Sequence, residues 1–319
     1  MKSCICLVAL LIPLCGAVDL FASIDEAAAL FGYDTGLPLE AEEVFVLERD
    51  GVRLTEISFD SPRGGRVTGY LVRPPGDGPF PAVVFGHWVR GTRREFLPEA
   101  MLYGRSGAVC VLIDFPFSRP DPWRRQIRNL GNPESDYETY LQSIIDLRRA
   151  VDLIASMPEV DAGRIAYIGH DFGAQCGAIL AAVEDRIGAA VLMAGAPTQG
   201  DLWPESDDPR VPEFIKRIPG ELRQTYIRTL KPLDSIRFVP HAAPTALFFQ
   251  FSRFEDLFTE ESLTAYAEAA SEPKRVEWYE TDHTMNDVFA VVDRARWLEE
   301  QIGLGPVIPI LTERMGRSR

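Results

Sequence analysis

The sequence is poor in the residues that build metal sites. It holds four histidines, His87, His170, His241 and His283, and five cysteines in 319 residues. Neither an H-E-x-x-H nor a C-x-x-C pattern occurs, so no metal is expected, and no organic cofactor either. Basic residues are also short: 33 Lys and Arg stand against 47 Asp and Glu, a net charge of -14. Such an acid excess argues against a nucleic-acid or anionic-membrane partner and leaves a small molecule as the expected one. No repeat of 20 to 50 residues is visible, which excludes solenoids and propellers.

The N-terminal apolar run, in "MKSCICLVALLIPLCGAVDL", ends near Ala17. It is too short to span a bilayer comfortably and has the form of a signal-peptide core. Residues 1–17 are therefore read as a leader and the mature chain as starting near Val18. A secreted or periplasmic protein without stable membrane insertion is expected. A lipoprotein reading through Cys15 is weaker, because Pro13 and Leu14 precede it where small residues belong. Lys2 is the only charged residue in the leader, so its removal would take the net charge from -14 to -15. Cys4, Cys6 and Cys15 lie in this leader. Cys110 and Cys176 sit in apolar runs and read as buried thiols.

What is present in quantity is apolar residue, 46% of the chain, enough for a large core. After a lead-in over 18–40 come "EVFVLER", "VRLTEISFD" and "RVTGYLVRP", alternating runs that suggest an antiparallel start. From "PAVVFGH" onward, continuous apolar strands alternate with helical stretches, among them a long one near 136–157 and a last one near 286–302. That rhythm means an α/β domain over 41–303, with a mostly parallel central sheet and helices on both faces. Residues 199–243 interrupt it with Pro, Trp and charge, as either a partly helical lid or a long surface excursion. Residues 304–319, "GPVIPILTERMGRSR" from 305, read as a loose tail.

The chemistry concentrates in "RIAYIGHDFGAQCGAIL", residues 164–180. A strand meets a small-residue helix across G-H-D-F-G, a turn that lifts Asp171 above the sheet. Two later strands end in "SRFEDLF", with Glu255 and Asp256, and in "TDHTMND", with His283. With "FPAVVFGHW" and "VLMAGAP", these stretches resemble the dienelactone-hydrolase-like branch of the α/β-hydrolase superfamily, from about residue 40 to 303. The turn itself is similar to that of haloalkane and haloacetate dehalogenases and epoxide hydrolases, which use Asp where the dienelactone branch uses Ser or Cys. Phe172 departs from the Trp that usually follows in the haloalkane and epoxide enzymes.

The resemblance implies a triad of Asp171, an acid and His283, with Glu255 favoured over Asp256 by the usual register of such loops. It also implies an oxyanion hole from the amides of Trp88 and Phe172, and a loop-shaping rather than catalytic His87. Asp changes the reaction. A carboxylate is ionised without help from a base, yet its adduct with an ester carbonyl collapses backward, since carboxylate leaves better than alkoxide. At saturated carbon, a halide or a strained epoxide oxygen can leave instead. The first reading is thus an Asp171 nucleophile forming an ester intermediate on a small, anionic substrate. The alternatives are an ester or lactone hydrolase with Asp171 as general base, and a catalytically silent binding protein. Arg90, Arg93 and Arg94 in "WVRGTRR" and Arg119, Arg124, Arg125 and Arg128 in "RPDPWRRQIR" are candidate clamps for a substrate carboxylate, with Arg93, Arg94, Arg124 and Arg125 singled out, or they are surface charge. Trp203 and Tyr226 are candidate pocket walls.

Overall fold

The computed structural model describes residues 23–204 and 213–317. The expected leader, residues 1–17, lies outside them. A short helix α1 (Ile24–Ala29) leads into a sheet whose strands are β1 (Glu42–Arg49), β2 (Val52–Asp60), β3 (Arg66–Arg73), β4 (Phe80–Gly86), β5 (Val109–Ile113), β6 (Val160–His170), β7 (Ile187–Met193), β8 (Ala246–Phe254) and β9 (Lys274–Asp282). Among the described residues they form one nine-stranded sheet, in the order β1-β2-β3-β5-β4-β6-β7-β8-β9. The first three strands and the β3–β5 pair run antiparallel; β5, β4 and β6 through β9 run parallel.

The central strands are buried on both faces because their neighbours supply two helical layers. Ala82 and Val84 of β4 point into one layer, Val83 and Phe85 into the other. The first layer is built on α3 (Pro133–Ala155) and α4 (Phe172–Val183). Ile144, Leu147, Val151 and Ile154 form its stripe on α3, spaced as one helical face requires, and all are buried. The second layer holds α2 (Leu97–Arg105) and α9 (Val288–Ile302), the latter through Ala295, Leu298 and Ile302. Helix α3 starts three residues before the expected 136. Asn132 caps it by accepting the Ser135 amide, and Pro133 fits the first turn.

The described part of the segment 199–243 is largely helical. It contains α5 (Gln199–Leu202), α6 (Glu213–Lys216), α7 (Gly220–Leu230) and three short 3₁₀ turns. Tyr226, Leu230, Leu233, Phe238 and Val239 bury it against the α3–α4 layer, so its described part is packed rather than standing off. A further helix, α8 (Glu260–Ala269), joins β8 to β9. The tail corrects the expected loose end. After the left-handed Gly303, the buried Leu304 and Val307 and a Gly305 amide bond to the Ser106 carbonyl dock it, and α10 (Ile308–Arg317) follows. No described helix is long and apolar enough to cross a membrane.

Candidate active site

The strand β6 delivers Asp171 on a strained turn. Its backbone sits at φ 49°, ψ -109°, outside the regions favoured by residues with a Cβ. Bonds from its amide to the Met193 carbonyl (2.9 Å) and from the Gln175 amide to its own carbonyl (3.0 Å) hold it there. The glycines allow the approach of α4: a Cβ on Gly173 would collide with the Gly86 carbonyl oxygen on the neighbouring strand.

The Asp171 carboxylate is 2% exposed, and its two oxygens have different surroundings. Oδ2 accepts the Val89 amide at 3.2 Å. Oδ1 has no hydrogen-bond partner. It lies 3.8 Å from His283 Nε2 and 3.8 Å from the Arg128 guanidinium, beyond hydrogen-bond length from both. His283 is buried at the end of β9, with Nδ1 2.9 Å from Glu255 Oε2. Glu255 is held in turn by the Ser252 hydroxyl and the Leu257 amide, both at 3.0 Å. This chain fixes the tautomer: Nδ1 donates to the carboxylate and Nε2 keeps a lone pair toward Asp171. Burial of His283 works to lower its pKa, but the Glu255 hydrogen bond and charge, with the Asp171 charge, outweigh it and raise it above 6.5. The structure therefore brings Asp171, Glu255 and His283 together. Asp256 is exposed on the cavity side and makes no bond to His283.

The oxyanion side differs from expectation at one position. The Trp88 amide donates to Glu95 Oε2 at 2.7 Å, so it is turned away from Asp171 and the Val89 amide takes its place. The Trp88 ring lines the cavity and stacks on His170, 5.6 Å away at 10°. Phe172 opens α4, its ring buried against Phe115, Phe117 and Tyr140. His87 accepts the Phe115 amide and contacts the Ser118 hydroxyl. Burial lowers its pKa, which suits a neutral ring that shapes the loop.

The cavity in front of Asp171 has a volume of about 620 Å³. Trp88, Val89, Leu202, Trp203, Pro204, Phe254 and Leu257 give it apolar walls, and Arg90, Arg128, Asp201, Asp256, Asp282 and His283 give it charge. Of the expected arginine clamps, Arg93, Arg94, Arg124 and Arg125 do not reach it. Arg93 pairs with Glu56 (2.9 Å) and Asp114 (3.5 Å) and covers the Tyr70 ring. Arg94 faces the Tyr70 hydroxyl, and Arg124 donates to the Arg119 carbonyl. Arg125 is likewise absent from the lining, its amide tied to the Pro116 carbonyl. Arg93, Arg94 and Arg124 are used by local partners that sequence clustering did not reveal. Arg90 does line the cavity, and so does Arg128, four residues on from Arg124. Among the described residues the Arg128 guanidinium makes no hydrogen bond and has only Asp171 within ion-pair reach. Trp203 lines the cavity as expected. Tyr226 does not: it is fully buried, packs on Trp203 and donates to Asp136 at 2.7 Å.

No protein-family model matches the chain. Among curated proteins it is similar to Esterase FrsA of Enterobacter sp. (strain 638), 27% identical over 162 residues. That match covers 50% of this chain and only 36% of the esterase's length. Esterase FrsA of Escherichia coli O157:H7 matches over the same shares. Among solved structures, an acetyl xylan esterase from Paenibacillus sp. R4 superposes with a TM-score of 0.72 at 22% identity, covering 87% of this chain and 93% of that one. Acetyl xylan esterase 1 from Thermoanaerobacterium sp. JW/SL YS485 gives 0.68 at 15% identity, over 86% and 93%. The fold is that of the α/β hydrolases.

Proposed function

We propose that the protein is a hydrolase in which Asp171 attacks saturated carbon, with Glu255 and His283 serving the hydrolysis of the resulting ester. The observation that carries this reading is the position of the Asp171 oxygens. Oδ2 already occupies the Val89 amide, the donor of the oxyanion hole. A substrate carbonyl needs that donor empty; here the nucleophile's own oxygen fills it. Oδ1, unbonded and 3.8 Å from both Arg128 and His283, which line the cavity, is the oxygen left to react.

In the first step Oδ1 displaces a halide, which leaves as the anion, or opens an epoxide whose oxygen takes a proton from solvent water. An alkyl ester of Asp171 forms. In the second, His283 Nε2 takes a proton from water, and the hydroxide attacks Cγ of Asp171. The negative charge develops on Oδ2, where the Val89 amide, joined by the Phe172 amide at the head of α4, receives it. Collapse expels the alkoxide, which takes the proton from His283 and leaves as the alcohol, and the Asp171 acid so formed loses its proton to solvent to restore the carboxylate. Arg128 and Arg90 suit a substrate that carries a carboxylate of its own, held beside the reacting carbon.

The names of the similar proteins favour a second reading, ester or lactone hydrolysis with Asp171 as general base. One experiment separates the two. A panel of activated esters, haloacids and epoxides is offered to the protein, and a single turnover is run in heavy-oxygen water. The nucleophile reading expects label in the Asp171 carboxylate, and His283→Gln protein that gains the alkyl mass on the peptide containing Asp171. Turnover with unlabelled Asp171 would refute it and promote the ester reading. Turnover of nothing in the panel would leave a binding protein.

A further inference from the structure

We propose that His170 and Glu95 form a second acid–imidazole pair that positions the two halves of the site, with His170 acting on His283 and Glu95 on the oxyanion loop. The inference rests on the nucleophile reading above for its kinetic consequence, though not for its geometry.

His170 directly precedes Asp171 and is 3% exposed. Its Nε2 lies 2.8 Å from the main-chain carbonyl of His283, which can only accept, so Nε2 carries a hydrogen and donates it. Its Nδ1 lies 2.6 Å from Glu95 Oε1, so one proton lies between ring and carboxylate. The other oxygen of Glu95 takes the Trp88 amide at 2.7 Å, and the Trp88 indole stacks on the His170 ring. One carboxylate and one imidazole thus tie together the elbow at the end of β6, the loop after β4 that presents the Val89 amide, and the loop after β9 that presents His283.

The division of labour is specific. The Glu255 bond sets how the His283 ring is turned, but it leaves the backbone that carries the ring free to move. The His170 donor fixes that backbone. His283 is needed only to hydrolyse the ester, so His170 should govern the second step and leave the first alone. Glu95 turns the Trp88 amide aside, which brings the next amide, Val89, onto Asp171 Oδ2.

Two variants separate the arms of His170. In His170→Asn the shorter amide reaches toward Glu95, as Nδ1 does, and loses the His283 carbonyl. In His170→Gln the longer amide reaches where Nε2 does and can restore that donor. Chloroacetate is the kinetic probe, with adduct on Asp171 followed by intact mass after rapid quench. The expectation for His170→Asn is unchanged adduct formation and hydrolysis slowed about tenfold or more, with recovery in His170→Gln. A substrate-free measurement stands beside it: the downfield Nδ1 proton signal of His283, sharp in the unmutated protein, should broaden in His170→Asn and sharpen again in His170→Gln. A purely structural role would lower thermal stability in both variants without this split. If the unmutated protein turns chloroacetate over without adduct on Asp171, the nucleophile reading fails; in that case, or if chloroacetate is not turned over, the proton signal alone judges the pair. If adduct forms but His170→Asn partitions as the unmutated protein does, or keeps the signal sharp, the positioning role is overturned.

Discussion

Replacing Glu255 with Gln should separate the two chemical steps and identify the acid of the triad. Glu255 makes a 2.9 Å bond to His283 Nδ1 and is itself pinned through Ser252 and Leu257. Gln keeps the shape. Its carbonyl can still take the Leu257 amide, and its NH₂ then points at Nδ1. The imidazole must turn its lone pair to Nδ1 and a hydrogen to Nε2, so the base faces Asp171 with the wrong atom. Losing a charged hydrogen bond costs about 1.5–3 kcal/mol, or roughly 10- to 150-fold. A wrong tautomer takes the loss toward ~10⁴-fold. The loss should fall on ester hydrolysis, read by rapid quench and intact mass as adduct that persists, while its formation rate stays within about twofold. The pH profile should move as well. Only the neutral ring is a base, so activity in the unmutated protein is lost as pH falls through the raised His283 pKa. Without Glu255 the burial penalty on the imidazolium remains and its main counterweight is gone, so this limb shifts to lower pH. The same linkage acts on stability. The pair's contribution is full below 6.5 and fades as pH rises through the raised value, so the variant's deficit should be largest in acid. Asp256→Asn, changing an exposed carboxylate, should do little. Hydrolysis lost in Asp256→Asn and kept in Glu255→Gln would refute this assignment.

Arg128→Gln should weaken anionic substrates by about 10- to 150-fold in kcat/KM, the value of a charged hydrogen bond, and spare neutral ones; equal effects on both classes would return Arg128 to surface charge. Asp234, buried beneath α5, has its carboxyl pushed up from 3.8 to about 7 by that burial, against the opposing bond from the Gln199 amide. The folded state therefore holds its proton longer than the unfolded one, and stability should fall as pH rises from about 4 to about 7. Asp234→Asn should remove that slope and raise stability at pH 8 by up to about 4 kcal/mol, read from denaturant midpoints across pH; an unchanged slope would show that Asp234 is ionised in the fold.

Much of the scaffold was legible because the physics that set it is local. Continuous apolar strands announce a covered parallel sheet, and G-H-D-F-G between strand and helix announces the elbow. Glu255 and His283 follow the ends of β8 and β9, where the fold presents its chemistry. What escaped depends on partners distant in sequence. Which amide faces Asp171 is decided by Glu95, seven residues beyond Trp88, and nothing in "GHWVRGTRREF" says that its carboxylate will take the Trp88 amide. The arginines look alike in sequence, but Glu56 and Asp114 claim Arg93 while Arg128 is left to the cavity. The tail misled through its prolines. Pro309 sits in the first turn of α10, where a missing amide hydrogen costs nothing.

The resting charges also bear on how the proposed cycle would time itself. The one hydrogen bond of buried Asp171 goes to Oδ2, while Oδ1 has only potentially cationic neighbours at a distance: the Arg128 guanidinium, and His283 when protonated, each at 3.8 Å. At that separation a unit pair is worth about 1 kcal/mol in a water-like medium and about 4 kcal/mol at the effective dielectric of a protein surface. These contacts place positive charge near Oδ1 without a bond that must break before it can attack. Alkylation then discharges Asp171. One of the charges that favour the His283 imidazolium disappears with it. The ring is therefore more readily neutral in the intermediate than in the free enzyme, at the stage where a base is required. A serine elbow works in the reverse order, needing the histidine as base before the first bond forms. The same Glu255–His283 pair is thus compatible with both chemistries, and it is the residue on the turn, with its oxygen already on the Val89 amide, that sets which step the histidine serves.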